Sequence, residues 1–215
     1  MHMKKKTLGS ILTAALLAGL AGCSNGGPEP TSEPSAQPSA GSAAGTIEAQ
    51  AAPPAGDADS NRLGLPNERR VEDGKVIAGG QPSADTLRRA KAQGVTVVVN
   101  LRTPGEPGQD FEEGLLRELG IRYERIPVAG GAGMTEENAR KLGEILSSAE
   151  GPVVVHCASG NRVGGLYALK RFLVDGVPRA QALEEGRAAG MRSVASAVEA
   201  FMNQYCEAHP DHGGC

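Results

Sequence analysis

Cys157, Gly160 and Arg162 stand close together in the stretch Pro152-Val153-Val154-Val155-His156-Cys157-Ala158-Ser159-Gly160-Asn161-Arg162-Val163-Gly164. The chemistry these residue types allow at this spacing is attack by a nucleophile on a captured anion. A run of β-branched residues predicts a buried strand that ends at the cysteine, and a short glycine-containing loop leads to an arginine opening an apolar-periodic helix. In such a turn successive backbone N–H groups point inward, joined by the first unpaired N–H groups of the helix. The helix dipole favours negative charge at that spot, which favours the thiolate form of a cysteine placed there. Arg162 adds a planar, permanently charged fork suited to two oxygens of a phosphate-like group. Gly160 admits a backbone conformation closed to other residues and lets an oxyanion approach closely. Ala158, Ser159, Gly160, Asn161 and Arg162 are therefore the phosphate-binding candidates. A lone cysteine at a strand end is more often an inert core residue, so the combination carries the argument.

The elements that must hold this stretch in place alternate strand and helix. Val71 to Ile77 contains an Asp73-Gly74 turn and reads as a small hairpin. Ser83 caps a predicted helix that carries Leu87 and Ala90 and ends at Gly94, before a strand from Val95 to Leu101. After the loop Arg102 to Gly108, a helix from about Gln109 to Leu119 places Phe111, Leu115, Leu116 and Leu119 on one face. A strand from Ile121 to Val128 follows, then a glycine-rich loop, Ala129 to Gly133, flexible enough to move. Thr135 caps a helix to about Ser148, and the cysteine strand comes next. After Arg162 three helices follow without another strand: Val163 to Val174, Pro178 to Ala189 and Ser193 to Tyr205. In the last, Val194, Val198, Phe201 and Tyr205 are in phase, as core packing requires. The expected fold is α/β, a mixed or mainly parallel sheet flanked by helices with a helical C-terminal half, and the cysteine loop at the carboxyl edge of its strands.

The chain begins differently. Lys4, Lys5 and Lys6 precede an apolar stretch from Leu8 to Leu20, and Leu20-Ala21-Gly22-Cys23 resembles the lipobox of bacterial lipoprotein signal peptides. That resemblance implies that residues 1–22 are a leader and that Cys23 is the lipidated N-terminus of an exported protein, tethered to a bacterial membrane and facing the periplasm. Residues 23–61 are rich in Pro, Ser, Ala and Gly and read as a flexible tether. Residues 62–205 suffice for one domain with a single core, and 206–215 form a Cys/His tail. Setting aside the three leader lysines leaves 19 basic against 25 acidic residues, so nothing suggests a nucleic-acid partner.

His156-Cys157-Ala158-Ser159-Gly160-Asn161-Arg162 resembles the His-Cys…Arg signature of the protein tyrosine and dual-specificity phosphatase superfamily. Ala78 to Ser83, Gly94 to Arg102 and Gly120 to Val128 are similar to the opening strands of its atypical dual-specificity-phosphatase-like domains. The resemblance covers about residues 70 to 205. It implies Cys157 as the nucleophile that forms a phosphocysteine, Arg162 as the phosphate clamp and His156 as a support that orients the loop. It implies a phosphorylated protein or small molecule as substrate, and no metal or other cofactor.

Two departures keep alternatives open. The family places five residues between Cys and Arg, and here there are four, a spacing that also occurs in rhodanese-type sulfurtransferases, where the cysteine carries a persulfide. The family also places an Asp after the strand matching Ile121 to Val128 to protonate the leaving oxygen; here Ala129-Gly130-Gly131 stands there, leaving Glu106 and Asp110 as candidate general acids. A domain without the acid could cleave only substrates with good leaving groups, or simply bind phosphate. In the tail, Cys206, His209, His212 and Cys215 could be read as metal ligands, but an oxidising compartment favours a disulfide between Cys206 and Cys215.

Overall fold

The structure, a computed structural model, describes residues 61–215. The leader, Cys23 and nearly all of the expected tether lie outside the described residues. Strands β1 (Arg69–Val71), β2 (Val76–Gly79), β3 (Val97–Asn100), β4 (Arg122–Arg125) and β5 (Val153–His156) form one sheet in the order β1-β2-β5-β3-β4. β1 pairs antiparallel with β2, and the other pairings are parallel. β5 is thus central and covered on both faces, which is why it reads as an unbroken valine run rather than an alternation.

The two faces bury different side chains. Val76, Val99, Val153 and Val155 pack with Leu142 and Leu146 of α3 (Glu136–Ser147) and Leu166 and Leu169 of α4 (Asn161–Leu173). Ile77, Val98 and Val154 pack on the other side with Leu87 of α1 (Ala84–Ala92) and Leu116 of α2 (Glu112–Glu118). Each of these side chains contributes roughly 1.5–3 kcal/mol by leaving water, and together they fix the sheet edge that carries the loop. The expected caps form: Ser83 Oγ accepts the Thr86 N–H at 3.1 Å and Thr135 Oγ1 accepts the Asn138 N–H at 3.3 Å. Helices α5 (Arg179–Ala188) and α6 (Ala195–Ala208) pack against α4. The α4–α5 crossing is tight, for a Cβ on Gly164 would lie 2.5 Å from the Gly186 carbonyl oxygen.

Three expectations need correction. The second helix starts at Glu112 rather than Gln109, leaving Phe111 40% exposed. Glu112 and Leu116, four residues apart, share the inward face instead, because Glu112 finds polar partners inside. The strand expected over Ile121 to Val128 is regular only from Arg122 to Arg125, although Ile126 and Val128 stay buried and bonded to Asn100 and Leu101. The glycine-rich loop closes as a 3₁₀ turn, Gly130–Gly133, and two of its glycines serve close packing: a Cβ on Gly131 would lie 2.9 Å from Ala197 Cβ and one on Gly133 2.8 Å from Val128 Cα.

The tail is joined to the helical layer. Cys206 and Cys215 form a disulfide, and the Arg179 N–H donates to the Gly214 carbonyl at 2.9 Å. His209 stacks on Tyr205 with centroids 4.1 Å apart, and His212 packs 4.8 Å from Phe172. Two of the four donors that a metal reading needs are consumed by the disulfide, and both imidazoles pack on rings.

Candidate active site

Cys157 follows β5 directly and is 1% exposed. Its N–H is held by the Gly79 carbonyl at 3.2 Å, which continues the β2–β5 ladder to the foot of the loop. Beyond it the loop's carbonyls turn outward: Ala158 O accepts from Gln81 N–H at 3.3 Å and Ser159 O from Asn67 Nδ2 at 3.1 Å. In a trans peptide the N–H after an outward carbonyl points the opposite way, so the Ser159 and Gly160 amides face inward. The Gly160 N–H accordingly donates to Cys157 Sγ at 3.1 Å. Gly160 caps α4 with φ +90°, a conformation a side chain would strain. Asn161 turns its side chain outward, where Oδ1 accepts the Arg192 N–H at 2.7 Å and Nδ2 donates to Ser193 Oγ at 2.8 Å. It braces the loop with its side chain while its backbone sits in the first turn of α4.

Arg162 lies in that same turn, and its guanidinium meets Glu106. Nη1 donates to Oε1 and Nη2 to Oε2, both at 2.7 Å, and Nη1 also reaches the Val128 carbonyl at 3.1 Å. Glu106 is gripped further by the Thr103 N–H at 2.7 Å, the Thr103 hydroxyl at 3.0 Å and Arg102 Nε at 3.2 Å. The Arg162 fork beside it holds the Glu106 carboxyl far below the ordinary carboxylate range, and Thr103 and Arg102 add to the effect. Glu106 in turn keeps the Arg162 guanidinium charged, against the burial that opposes it.

Behind this pair runs a buried polar chain that the sequence reading missed. Arg102, 5% exposed, donates from Nη1 to Gln81 Oε1, and Gln81 Nε2 donates to Glu112 Oε1. Glu112, fully buried, also accepts from the Tyr123 hydroxyl and from Asn100 Nδ2, each at 2.9 Å. Burial alone would raise its carboxyl pKa, but the pull of His156, Gln81 and Tyr123 holds it below the usual range. His156 Nε2 stands 3.4 Å from Glu112 Oε2 without a well-formed hydrogen bond, and the His156 carbonyl receives the Leu101 N–H at 2.9 Å. The only hint of this chain in the sequence is position: Gln81, Arg102 and His156 sit at or just past the carboxyl ends of β2, β3 and β5.

Of the candidates, the structure brings Cys157, Gly160, Arg162 and Glu106 together. Asp110 instead lines a separate hollow of about 270 Å³ with Gly105, Glu113, Tyr123 and Arg125. The site as built can bind a tetrahedral anion between inward amides and a guanidinium, with a sulfur nucleophile beneath.

Residues 70–174 match the family profile described as beta-lactamase hydrolase-like protein, phosphatase-like domain. The chain is 30% identical over 168 residues to a beta-lactamase hydrolase-like protein of Agrobacterium fabrum (strain C58), a match covering 68% of this chain and 38% of that one. With the Xylella fastidiosa (strain Temecula1) protein of the same description, identity is 33% over 126 residues, covering 53% and 29%. The chain thus spans roughly a third of the length of these relatives. Among solved structures, a protein from Shewanella putrefaciens CN-32 named as a candidate phosphatase superposes with TM-score 0.54 at 19% identity, covering 69% of this chain and 92% of that one. Another so named, from Neisseria meningitidis z2491, gives TM-score 0.50 at 20% identity, covering 60% and 92%. Residues 70–174 are thus similar to the phosphatase-like domain of the beta-lactamase hydrolase-like proteins, and the fold is shared with the two candidate phosphatases.

Proposed function

We propose that this protein is a cysteine-dependent phosphatase of the tyrosine and dual-specificity type, hydrolysing a phosphate monoester through a phosphocysteine on Cys157. The observation that carries the reading is the Cys157 sulfur under the Gly160 amide at the start of α4, with Arg162 in the first turn. The thiolate attacks phosphorus, the P–O bond to the leaving group breaks, and its electron pair leaves on oxygen. Water then attacks phosphorus, the P–S bond breaks, and thiolate and inorganic phosphate are released. Amides of Ala158 to Arg162 and the Arg162 fork hold the equatorial oxygens in both steps.

Steady-state hydrolysis of 4-nitrophenyl phosphate by the full chain, beside Cys157→Ser and Arg162→Ala, tests this. Turnover lost in Cys157→Ser and reduced about 10²–10³-fold in Arg162→Ala is expected, the loss typical when one transition-state donor is removed. Turnover that survives in Cys157→Ser would sink the cysteine mechanism. The four-residue spacing between Cys157 and Arg162 favours one rival, sulfur transfer. That rival predicts a Cys157 persulfide that cyanide discharges as thiocyanate. We also propose that the domain acts outside the cytoplasm, on the end of a tether lipidated at Cys23. Fatty-acid labelling that is lost in Cys23→Ser is the expected result.

A further inference from the structure

A phosphate ester leaves as an oxyanion, and how that oxygen obtains its proton decides which esters the site can cleave. The segments that touch the loop are Asn67, Gly79–Gln81, Arg102–Glu106, Val128 and Gly190–Val194, and among these described residues Glu106 is the only carboxylic acid.

Glu106 is built to accept. Oε1 takes Arg162 Nη1 and both the amide and the hydroxyl of Thr103, and Oε2 takes Arg162 Nη2 and Arg102 Nε. A carboxyl surrounded by these donors has no acceptor to which it could present a proton, and protonating it would set an O–H against guanidinium N–H groups. The loop that carries it is equally fixed: Gln109 Nε2 donates to the Thr103 and Glu106 carbonyls at 2.9 and 2.8 Å, and Gly105 and Gly108 take the φ values of +87° and +81° that the bends need.

The donor inventory of Arg162 shows what Glu106 does instead. A guanidinium has five N–H donors. Nη1 is committed to Glu106 and Val128, and one Nη2 hydrogen to Glu106. The donors remaining are Nε–H and one on Nη2, a single edge of the fork, suited to two oxygens of one phosphoryl group. The Cys157 sulfur also helps to hold this guanidinium charged, so the fork lies on the same side of the site as the nucleophile.

We infer that Glu106 is a positioning residue which aims Arg162 and cannot protonate the leaving group, so that the enzyme acts on phosphoryl groups carried by oxygens stable as anions, such as aryl and acyl phosphates, and not on alkyl phosphates. This rests on the phosphatase reading above. The P–O bond breaks with its electron pair leaving on the phenolate or carboxylate oxygen, which departs as the anion and equilibrates with solvent protons after release, and the phosphocysteine is then hydrolysed as already described.

The test is kcat/KM of the full chain on 4-nitrophenyl, phenyl and an alkyl phosphate, for wild type and Glu106→Gln, with inorganic phosphate as competitive inhibitor. In wild type the rate is expected to fall steeply across the series, the alkyl ester losing the roughly 10²–10⁴-fold that a positioned acid would supply. Glu106→Gln is expected to slow both aryl esters by the same factor, about tenfold to a hundredfold, and to weaken phosphate inhibition. The inference is overturned if Glu106→Gln spares 4-nitrophenyl phosphate while slowing the phenyl ester, the pattern of a lost acid. It is overturned equally if wild type cleaves the alkyl ester within about tenfold of the phenyl ester, since that slope requires no variant to fold. Hydrolysis of none of the three would remove the phosphatase reading itself.

Discussion

Helix α4 ends in two ion-pair clusters that are similar in composition and different in use. At its last turn Lys170, 7% exposed, meets Glu72 and Asp175 at 2.9 Å each, and Arg171 meets Asp175 at 2.6 Å and Glu185 at 2.5 Å. Cations belong there, because the carboxyl end of a helix is the negative end of its dipole. At the first turn Arg162 sits where the dipole opposes a positive charge, and Glu106 is the one carboxylate paired with it among the described residues. Stability would not select an arginine for that position. The last turn matches charge with charge, whereas the first holds its cation in one orientation and keeps an edge of donors for an incoming anion. The difference between a structural and a functional ion pair is therefore read from the donors left over and from the sign of the local dipole, not from distance.

Exchanging damage between the two ends tests this contrast most sharply. Arg162→Ala should cost the 10²–10³-fold in turnover given above and little in stability, while Lys170→Met should leave kcat/KM unchanged and lower unfolding free energy by about 3 kcal/mol, since partly buried Glu72 loses its cation and Asp175 one of its two. A tenfold loss of activity in Lys170→Met would break the contrast. Next in size is the tail. Replacing Cys206 and Cys215 by serine opens a loop of sequence separation 9, which chain entropy values at about 2.5 kcal/mol in urea unfolding, with unchanged turnover. The smallest effect is in acid. Because the folded state depresses the Glu106 pKa, its contribution is fully present above the ordinary carboxylate value of about 4.3 and fades as pH falls toward the folded value. The stability gap between wild type and Glu106→Gln, on the order of 1 kcal/mol at neutral pH, should close on acidification below that value.

What the sequence made legible was whatever lay along one continuous segment. Val153 to Gly164 contains strand, nucleophile, positive-φ glycine and arginine in order, so the cradle could be read directly. The alternation of elements likewise implied a parallel sheet with its loops at one edge. Glu106 was visible as a carboxylate in a neighbouring loop, but its use depends on Arg162, fifty-six positions away, and no local pattern reports that. The same holds for Gln81, Arg102 and Glu112, which meet only because β5 inserts between β2 and β3. Phe111 and Glu112 exchanged places for the same reason: a hydrophobic pattern counts apolar residues and cannot see a buried amide that awaits a carboxylate.

The buried polar chain behind the loop joins Glu112, Gln81, Arg102, Glu106 and Arg162, two carboxylates against two guanidiniums, so its formal charges cancel. The attraction for a phosphoryl group therefore comes from oriented amides and one edge of a guanidinium, forces that act over a few ångströms. The molecule around it carries a formal charge of −3. Dissolved ions weaken interactions that extend past a Debye length, about 10 Å at 0.1 M, and leave enclosed dipoles largely untouched. The inhibition constant of inorganic phosphate should consequently change little with ionic strength, and capture of the substrate should proceed by collision at the mouth rather than by guidance from afar.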